Sequence, residues 1–303
     1  LVAFHVAALG TVIGAFIAAL IFHKSVVDVW QMVAIMTGSY SGGAVNFFAV
    51  AGSYGTPAHV KGSLIVADSF VMAAFFVVLL LIAGSKWARR FYPHPHTMDA
   101  VYSRQLAAEH WKRKEISLFD ISAAIAVAVA LVAVAKASSA FTIERLSSMA
   151  EVAKLAGNQF VHITFWSVVL ATVGHRFLSK IHGAEEFGSF LLYIFLFVIG
   201  LPSNLTEVLR DAPSMFVLCL VMAVTNLATA LLLGKLLRLN LEDLLLSINA
   251  TLGGPPTAAA MAVSCGWQKL VLPALLIGIW GYIIGTPLGL VVGSLVRDWL
   301  AGV

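Results

Sequence analysis

Thr37-Gly38-Ser39-Tyr40-Ser41-Gly42-Gly43-Ala44-Val45-Asn46 and, in the second half of the chain, Asn249-Ala250-Thr251-Leu252-Gly253-Gly254-Pro255-Pro256-Thr257 are the stretches that decide the fold. Each lies within an otherwise apolar segment, and each carries the glycine, proline or small hydroxyl residues that unwind a helix and release backbone groups. Irregular backbone at membrane depth is tolerated only where protein buries it or where it lines a cavity. Paired interruptions of this kind point to the binding site of a transporter.

Working outward, the surroundings are those of an all-α polytopic membrane protein. Of 303 residues, 60% are apolar and 11% charged, against roughly 45–50% and 25% in soluble domains. With about 20 apolar residues per span, nine segments emerge near 1–22, 29–54, 58–84, 117–137, 160–178, 187–204, 212–236, 243–265 and 268–297. The chain opens at Leu1 inside an apolar run, without an initiator Met or the pattern of a signal peptide, so its N-terminal part is expected to be incomplete. The net charge of +4 needs no nucleic-acid partner. Lys86, Arg89, Arg90, Arg104, Lys112, Arg113 and Lys114 gather between Ser85 and Glu115, and the positive-inside bias makes that loop cytoplasmic. Arg176, Lys180, Lys235 and Arg238 then fall on the same side, and residues 138–158 form an external loop with an amphipathic helix.

At an offset of 213 residues, Ser41-Gly42-Gly43-Ala44 lies against Gly254-Pro255-Pro256-Thr257 and Ala49-Val50-Ala51 against Ala262-Val263-Ser264. This predicts an internal repeat. Residues 1–84 form a first copy with its broken helix at 29–54, 85–116 a cytoplasmic basic loop, 117–159 a linking segment and external loop, and 160–303 a second copy with its broken helix at 243–265. The parity conflicts with inversion. The second broken helix is the sixth segment after the first, so both would cross in one direction, whereas inverted repeats require an odd separation.

Asp68 is the sharpest single residue, set about ten residues into the segment that starts at His59. An acid near the bilayer centre costs roughly 2.5–3.5 kcal/mol, so it faces a cavity or a partner. No Lys or Arg stands at comparable depth, which leaves as its partner a transported cation, a proton or a group in the missing N-terminal part, or else a protonated aspartic acid hydrogen-bonded to a neighbouring helix. Hard cations prefer oxygen ligands. Thr37, Ser39, Ser41 and Asn46 supply side-chain oxygens, with carbonyls of Gly42 and Gly43 beside them; tight helix packing by small residues is the competing explanation. In the second interruption Pro255 and Pro256 remove two successive donors. The restarted helix can turn its positive end toward an anionic group, and a proline kink is the simpler alternative. Tyr40, Asn249, Thr251, Gly253, Gly254, Pro255 and Thr257 are the candidate substrate-binding residues. Thr225 and Asn226 can line the same cavity or merely join helices. Cys219 and Cys265 lack metal-ligand spacing, and no Walker loop, dinucleotide fingerprint or nucleophile elbow is present. Neither catalytic residues nor a cofactor beyond a sodium ion is therefore expected.

The stretch Thr37 to Phe47, the pair Ala67-Asp68, and Gly253-Gly254-Pro255-Pro256-Thr257-Ala258-Ala259-Ala260-Met261-Ala262 with Gly281-Tyr282 together resemble the YjcL-like bacterial membrane proteins, the family called domain of unknown function 819. The likeness covers the whole chain, with the family's first few spans missing. Pro256 departs from a Gly-Pro followed by a small or hydroxyl residue and is not carried over as ligand-facing. That family is distantly similar to sodium/bile-acid symporters, sodium/glutamate symporters and cation/proton antiporters. Their plan is a core domain with two crossing broken helices beside a panel domain. The resemblance implies a secondary transporter in the cell inner membrane. Its expected action is sodium- or proton-coupled movement of a small organic anion, with Asp68 on the coupling cation. A cation/proton antiporter without organic substrate is the alternative, and an intramembrane enzyme or lipid-handling scaffold a more distant one. The partners are membrane lipids and a small-molecule solute, with no nucleic acid; a homodimer is compatible with the sequence.

Overall fold

The structure is a computed structural model and describes residues 1–96, 115–149, 152–153, 156–184, 186–188, 190–191, 194 and 205–302. The described residues form helices without strands. Five of these helices are long and apolar enough to cross a membrane: Val2–Phe22 (α1), Ala58–Gly84 (α4), Leu118–Arg145 (α6), Pro213–Leu236 within α9 (Leu205–Leu236), and Val271–Leu300 (α12). Two compact units result. One comprises 1–110 with 204–303, the other 111–203, so residues 160–203 group with the intervening segment and not with the second copy expected from sequence. The segment expected at 187–204 lies largely outside the described residues, as does most of the basic loop.

In the first unit both interrupted segments are broken, and neither crosses. Val29–Ser39 (α2) and Ala44–Ser53 (α3) fold back on each other. The Trp30 and Tyr54 rings stand 5.0 Å apart, Thr56 Oγ1 donates to Gln31 Oε1 at 3.2 Å, and a Cβ on Gly38 would meet Val50 Cγ2 at 2.9 Å. Leu241–Gly253 (α10) and Pro255–Ser264 (α11) form a second hairpin, in which Asn249 Nδ2 donates to Met261 Sδ at 3.3 Å. Half-helices of 10 to 13 residues reach about 15–20 Å at 1.5 Å per residue, roughly half of a hydrocarbon core about 30 Å thick. The crossing broken helices implied by the resemblance are thus replaced by two re-entrant hairpins. A hairpin counted as a crossing changes the parity of every later span.

Glycine makes both reversals. Gly43 (φ 91°, ψ −178°) caps α3 and Gly254 (φ 81°, ψ −169°) caps α11, a backbone region essentially closed to other residues. The second half-helices also end alike. Tyr54 N–H bonds Val50 O and Thr56 N–H bonds Ala51 O, while Cys265 N–H bonds Met261 O and Trp267 N–H bonds Ala262 O. Gly55 and Gly266 supply the positive φ of each turn, 63° and 68°. Every one of these pairs is separated by 211 residues, two fewer than the sequence offset.

Directions follow from the contacts. His5 and Phe16 of α1 touch Trp280 and Trp299 of α12, so these helices run parallel. Gly10 packs on Asn226 and Thr229 and Gly14 on Met222 and Thr225, so α9 runs against α1. Asp68 lies beside Cys219, and the Tyr92 hydroxyl donates to Leu231 O at 2.9 Å, so α4 runs with α9. The set α1, hairpin, α4 is therefore reversed in the set α9, hairpin, α12. A stripe of Gly281, Gly285, Gly289 and Gly293 on α12 admits the first hairpin, its missing Cβ atoms facing Ser41, Gly38, Ala34 and Asn46. Without water to drive apolar association inside a bilayer, such close backbone packing is what joins helices.

In the second unit α6 is longer than expected. It runs through residues 138–145, which were expected to begin an external loop. The Ser138 and Thr142 hydroxyls return to carbonyls of the preceding turn, so polar residues there do not stop the helix. Gln159–Val173 (α7) returns antiparallel beside it: Ser139 Oγ donates to Gly157 O at 2.5 Å, and Trp166 Nε1 to Ser138 Oγ at 2.9 Å. His175–Leu178 (α8) follows a break at Gly174. At the other end of α6, Ser117 and Asp120 form a reciprocal capping box, and Asp120 Oδ1 also accepts the His182 N–H at 2.9 Å.

Candidate functional site

The tips of the two hairpins meet. A Cβ on Gly43 would stand 3.2 Å from Gly253 O, and one on Gly254 3.2 Å from Gly42 O. Around this junction α4, α1 and α9 bring in polar side chains. Ser39 Oγ donates to Asp68 Oδ2 at 3.1 Å, joining the first hairpin to α4. The Tyr40 hydroxyl faces Asp68 and Cys219 without closing a hydrogen bond of good geometry on either. Its carbonyl accepts Thr11 Oγ1 at 2.7 Å. Asn226 Nδ2 reaches Ala7 O at 2.9 Å, Thr11 Oγ1 at 2.8 Å and Thr251 Oγ1 at 3.2 Å, which ties α1, α9 and the second hairpin together.

What remains unpaired is chemically uniform. Tyr40 Oη, Ser41 Oγ, Asp68 Oδ1, Asn226 Oδ1 and Asn249 Oδ1 are buried without a hydrogen-bond partner. All five are oxygens. Leaving one buried polar group unsatisfied costs about 1–3 kcal/mol, and native proteins keep few of them. A set of lone oxygens, one of them a carboxylate, matches a ligand that brings positive charge. Among the described residues no group of three or more His, Cys, Asp and Glu could hold a metal ion, so the donor set suits an alkali cation or a proton and not a transition metal.

The remaining candidates divide. Thr37 Oγ1 donates to Val33 O at 2.6 Å and Thr257 Oγ1 to Gly254 O at 3.1 Å, both within their own hairpins. Thr251 donates to Ile248 O while it accepts from Asn226. Gly42 presses on Gly281, and Gly253 lies against Thr257 and Met72. Asn46 is fully engaged: Nδ2 donates to Gly281 O at 3.2 Å, and Oδ1 accepts Thr286 Oγ1 at 2.7 Å. In this conformation it pins α3 to α12. Pro255 and Pro256 open α11, and because neither has an N–H, Thr257 holds the only amide among the first three positions of that helix. Sequence reasoning does not single out Thr11, and it finds in Cys219 only a thiol without metal-ligand spacing. Their signal was slight: one hydroxyl and one thiol in spans of ordinary hydropathy.

The family model described as "Protein of unknown function (DUF819)" matches residues 1–299. The uncharacterized membrane protein YjcL of Bacillus subtilis (strain 168) is 36% identical over 300 residues, which cover 98% of this chain and 76% of that protein. With five helices long and apolar enough to cross a membrane among the described residues and a match over nearly its whole length, the chain belongs to the DUF819 family and is a bacterial multi-pass membrane protein.

Proposed function

We propose that this protein is a secondary active transporter in which a sodium ion or proton bound at the hairpin junction drives movement of a small organic solute. The observation that carries this reading is the set of five buried, unpartnered oxygens on Tyr40, Ser41, Asp68, Asn226 and Asn249. Asp68, Tyr40 and Ser41 form the coupling side. Asn226, Asn249 and Thr251 connect it to the second hairpin. The α1-to-α4 and α9-to-α12 sets are read as inverted repeats, supported by their opposed directions and the matched turns at Gly43 and Gly254. Half-helix ends meeting near the bilayer midplane are the usual setting of such sites.

An asymmetry between the sets supports a reading of which part moves. Gly281, Gly285, Gly289 and Gly293 of α12 seat the first hairpin. The residues 211 positions earlier, on α4, are Phe70, Ala74, Val78 and Ile82. These side chains prevent the second hairpin from seating on α4 in the same way, and Pro256, Ala260 and Ser264 of α11 are exposed. The first hairpin is therefore the fixed wall and the second the gate. The positive-inside bias acting on Lys86, Arg89 and Arg90 of Lys86–Phe91 (α5), the short helix that follows α4, supports a cytoplasmic base for the second hairpin.

Thermal unfolding of the purified protein in sodium against potassium or choline at several pH values tests the assignment. The expected result is stabilisation by sodium or by protons that Asp68→Asn abolishes. Stabilisation that survives Asp68→Asn unchanged removes Asp68 from coupling.

A further inference from the structure

Where α4 passes into α5 and α9 ends, the surface is basic and aromatic. Lys86 and Arg90 stand one turn apart on α5, as do Trp87 and Phe91. All four are exposed, Trp87 at 69%. The Trp87 and Phe91 rings pack with centroids 4.7 Å apart, and Lys235, near the end of α9, holds its Nζ 4.7 Å from the Phe91 centroid. The Tyr92 hydroxyl, bonded to Leu231 O, fixes α5 against α9. Arg89 turns away from this surface and donates from Nε and Nη2 to Ala83 O, at 3.2 and 3.0 Å.

The exposed charge here is of one sign. Lys86, Arg90, Lys235 and Arg238 are exposed cations. The acids of the adjoining α10 do not offset them at the surface: Glu242 is 2% exposed and accepts the His96 N–H, and Asp243 accepts Asn240 Nδ2 at 3.0 Å. Such a patch attracts an anion, and its exposed aromatic rings belong at the level of lipid headgroups. Next to it the surface is apolar. Val224, Ala228 and Leu232 form an exposed stripe at four-residue spacing that runs along α9 to Lys235 and Leu236. From Val224 to Lys235 the stripe measures about 16 Å at 1.5 Å per residue. One leaflet of a hydrocarbon core about 30 Å thick has nearly that depth. An acyl chain laid along the stripe thus brings its phosphate to Lys235.

We infer that the junction of α5 with the end of α9 is a binding site for an anionic phospholipid, with its phosphate among Lys86, Arg90 and Lys235 and one acyl chain on the Val224 to Leu232 stripe. A zwitterionic headgroup fits less well, because its cationic end finds no exposed acid among these residues. The lipid bridges α5 to α9 beside the turn from which the second hairpin starts. Binding does not depend on the transport reading.

The experiment uses the full chain in nanodiscs of phosphatidylcholine alone, with added phosphatidylethanolamine and with added phosphatidylglycerol. Native mass spectrometry counts the lipid retained, and thermal unfolding reports its effect. Phosphatidylglycerol should be retained in preference to the other two and raise the unfolding temperature saturably. Each Lys or Arg near an anionic surface is worth roughly fivefold in affinity, so Arg90→Gln combined with Lys235→Gln should weaken retention by at least about tenfold. Both positions are exposed, which spares the core. Arg90→Lys combined with Lys235→Arg should keep the preference. Arg176→Gln combined with Lys180→Gln, which removes the same charge from exposed positions of the second unit, should keep it too. The inference is overturned if the three lipids are retained equally, or if the Arg176 and Lys180 pair loses as much, which would mean general attraction to basic surface. It is also overturned if the charge-preserving pair loses as much, or if glycerol phosphate added to phosphatidylcholine nanodiscs stabilises equally, which would assign a soluble anion.

Discussion

Replacing Gly289 with alanine tests the seam between α12 and the first hairpin. A Cβ there would lie 2.8 Å from Ala34 O, 2.9 Å from Val50 Cγ2 and 3.0 Å from Gly38 N, where ordinary contact begins near 3.4 Å. Two of the three neighbours are backbone, so the hairpin itself must retreat by a few tenths of an ångström. Overpacking of this kind costs about 1–3 kcal/mol, offset by roughly 0.5–1 kcal/mol from the better helix propensity of alanine. The net loss is about 1–2 kcal/mol, or roughly 2–3 °C in unfolding temperature for a chain of this length. Gly84→Ala is the matched control, because nothing lies within 4 Å of a Cβ at Gly84. The same chemical change there should be neutral or slightly stabilising. The assay is thermal unfolding of both variants in nanodiscs with and without sodium. A Gly289→Ala protein as stable as Gly84→Ala, with an unaltered sodium response, refutes the fixed-wall reasoning.

Three further predictions concern individual contacts. Thr286→Val removes the 2.7 Å bond to Asn46 Oδ1 at nearly constant volume and should cost about 1–3 kcal/mol; the sodium response persists if Asn46 is a pin, and its disappearance would make Asn46 a ligand. Gly43→Ala and Gly254→Ala each force a side chain into a glycine-only backbone region, so both should lower stability by about 1–3 kcal/mol, and a difference well beyond that range in unfolding experiments would show that the two turns are not equivalent. Burial raises the Tyr92 phenol above its ordinary value of 10.0. Its neutral form is thus favoured in the folded state, so the contribution is complete below pH 10.0 and declines as pH rises through the folded value. Tyr92→Phe should lose about 1 kcal/mol at neutral pH with the bond to Leu231 and show a shallower alkaline decline in a pH-stability series; parallel curves would sink that assignment.

Much of this architecture is legible in the sequence because breaks have a composition. Gly42-Gly43 and Gly253-Gly254-Pro255 mark both reversals, and Asp68 stands out because a carboxylate inside an apolar span needs a partner. Whether a break continues or returns is not legible. Residues 29–54 have the length of a spanning helix, and a hairpin of two half-helices has the same hydropathy as one kinked crossing. The partners that separate pin from ligand also lie far away in sequence: Asn46 is fixed by Gly281 and Thr286, more than 230 residues on. Asn226 shows the same problem, since its amide is oriented by Ala7 and Thr11 of α1 and by Thr251 of α10. Alignment by residue type favoured an offset of 213, whereas the turn geometry at Gly43 and Gly254 requires 211 because φ, not identity, defines the equivalent positions.

The fold-back of α2 onto α3 also bears on any reporter fusion or accessibility tag. A probe in 54–57 emerges on the same face of the bilayer as one in 23–28, and a probe in 265–270 on the same face as one in 237–240. Counting every apolar stretch as a traverse assigns opposite faces to each of those pairs. Sidedness labelling at Lys24 and Lys61, or at Arg238 and Lys269, therefore reads out the hairpins directly, without any knowledge of the cargo.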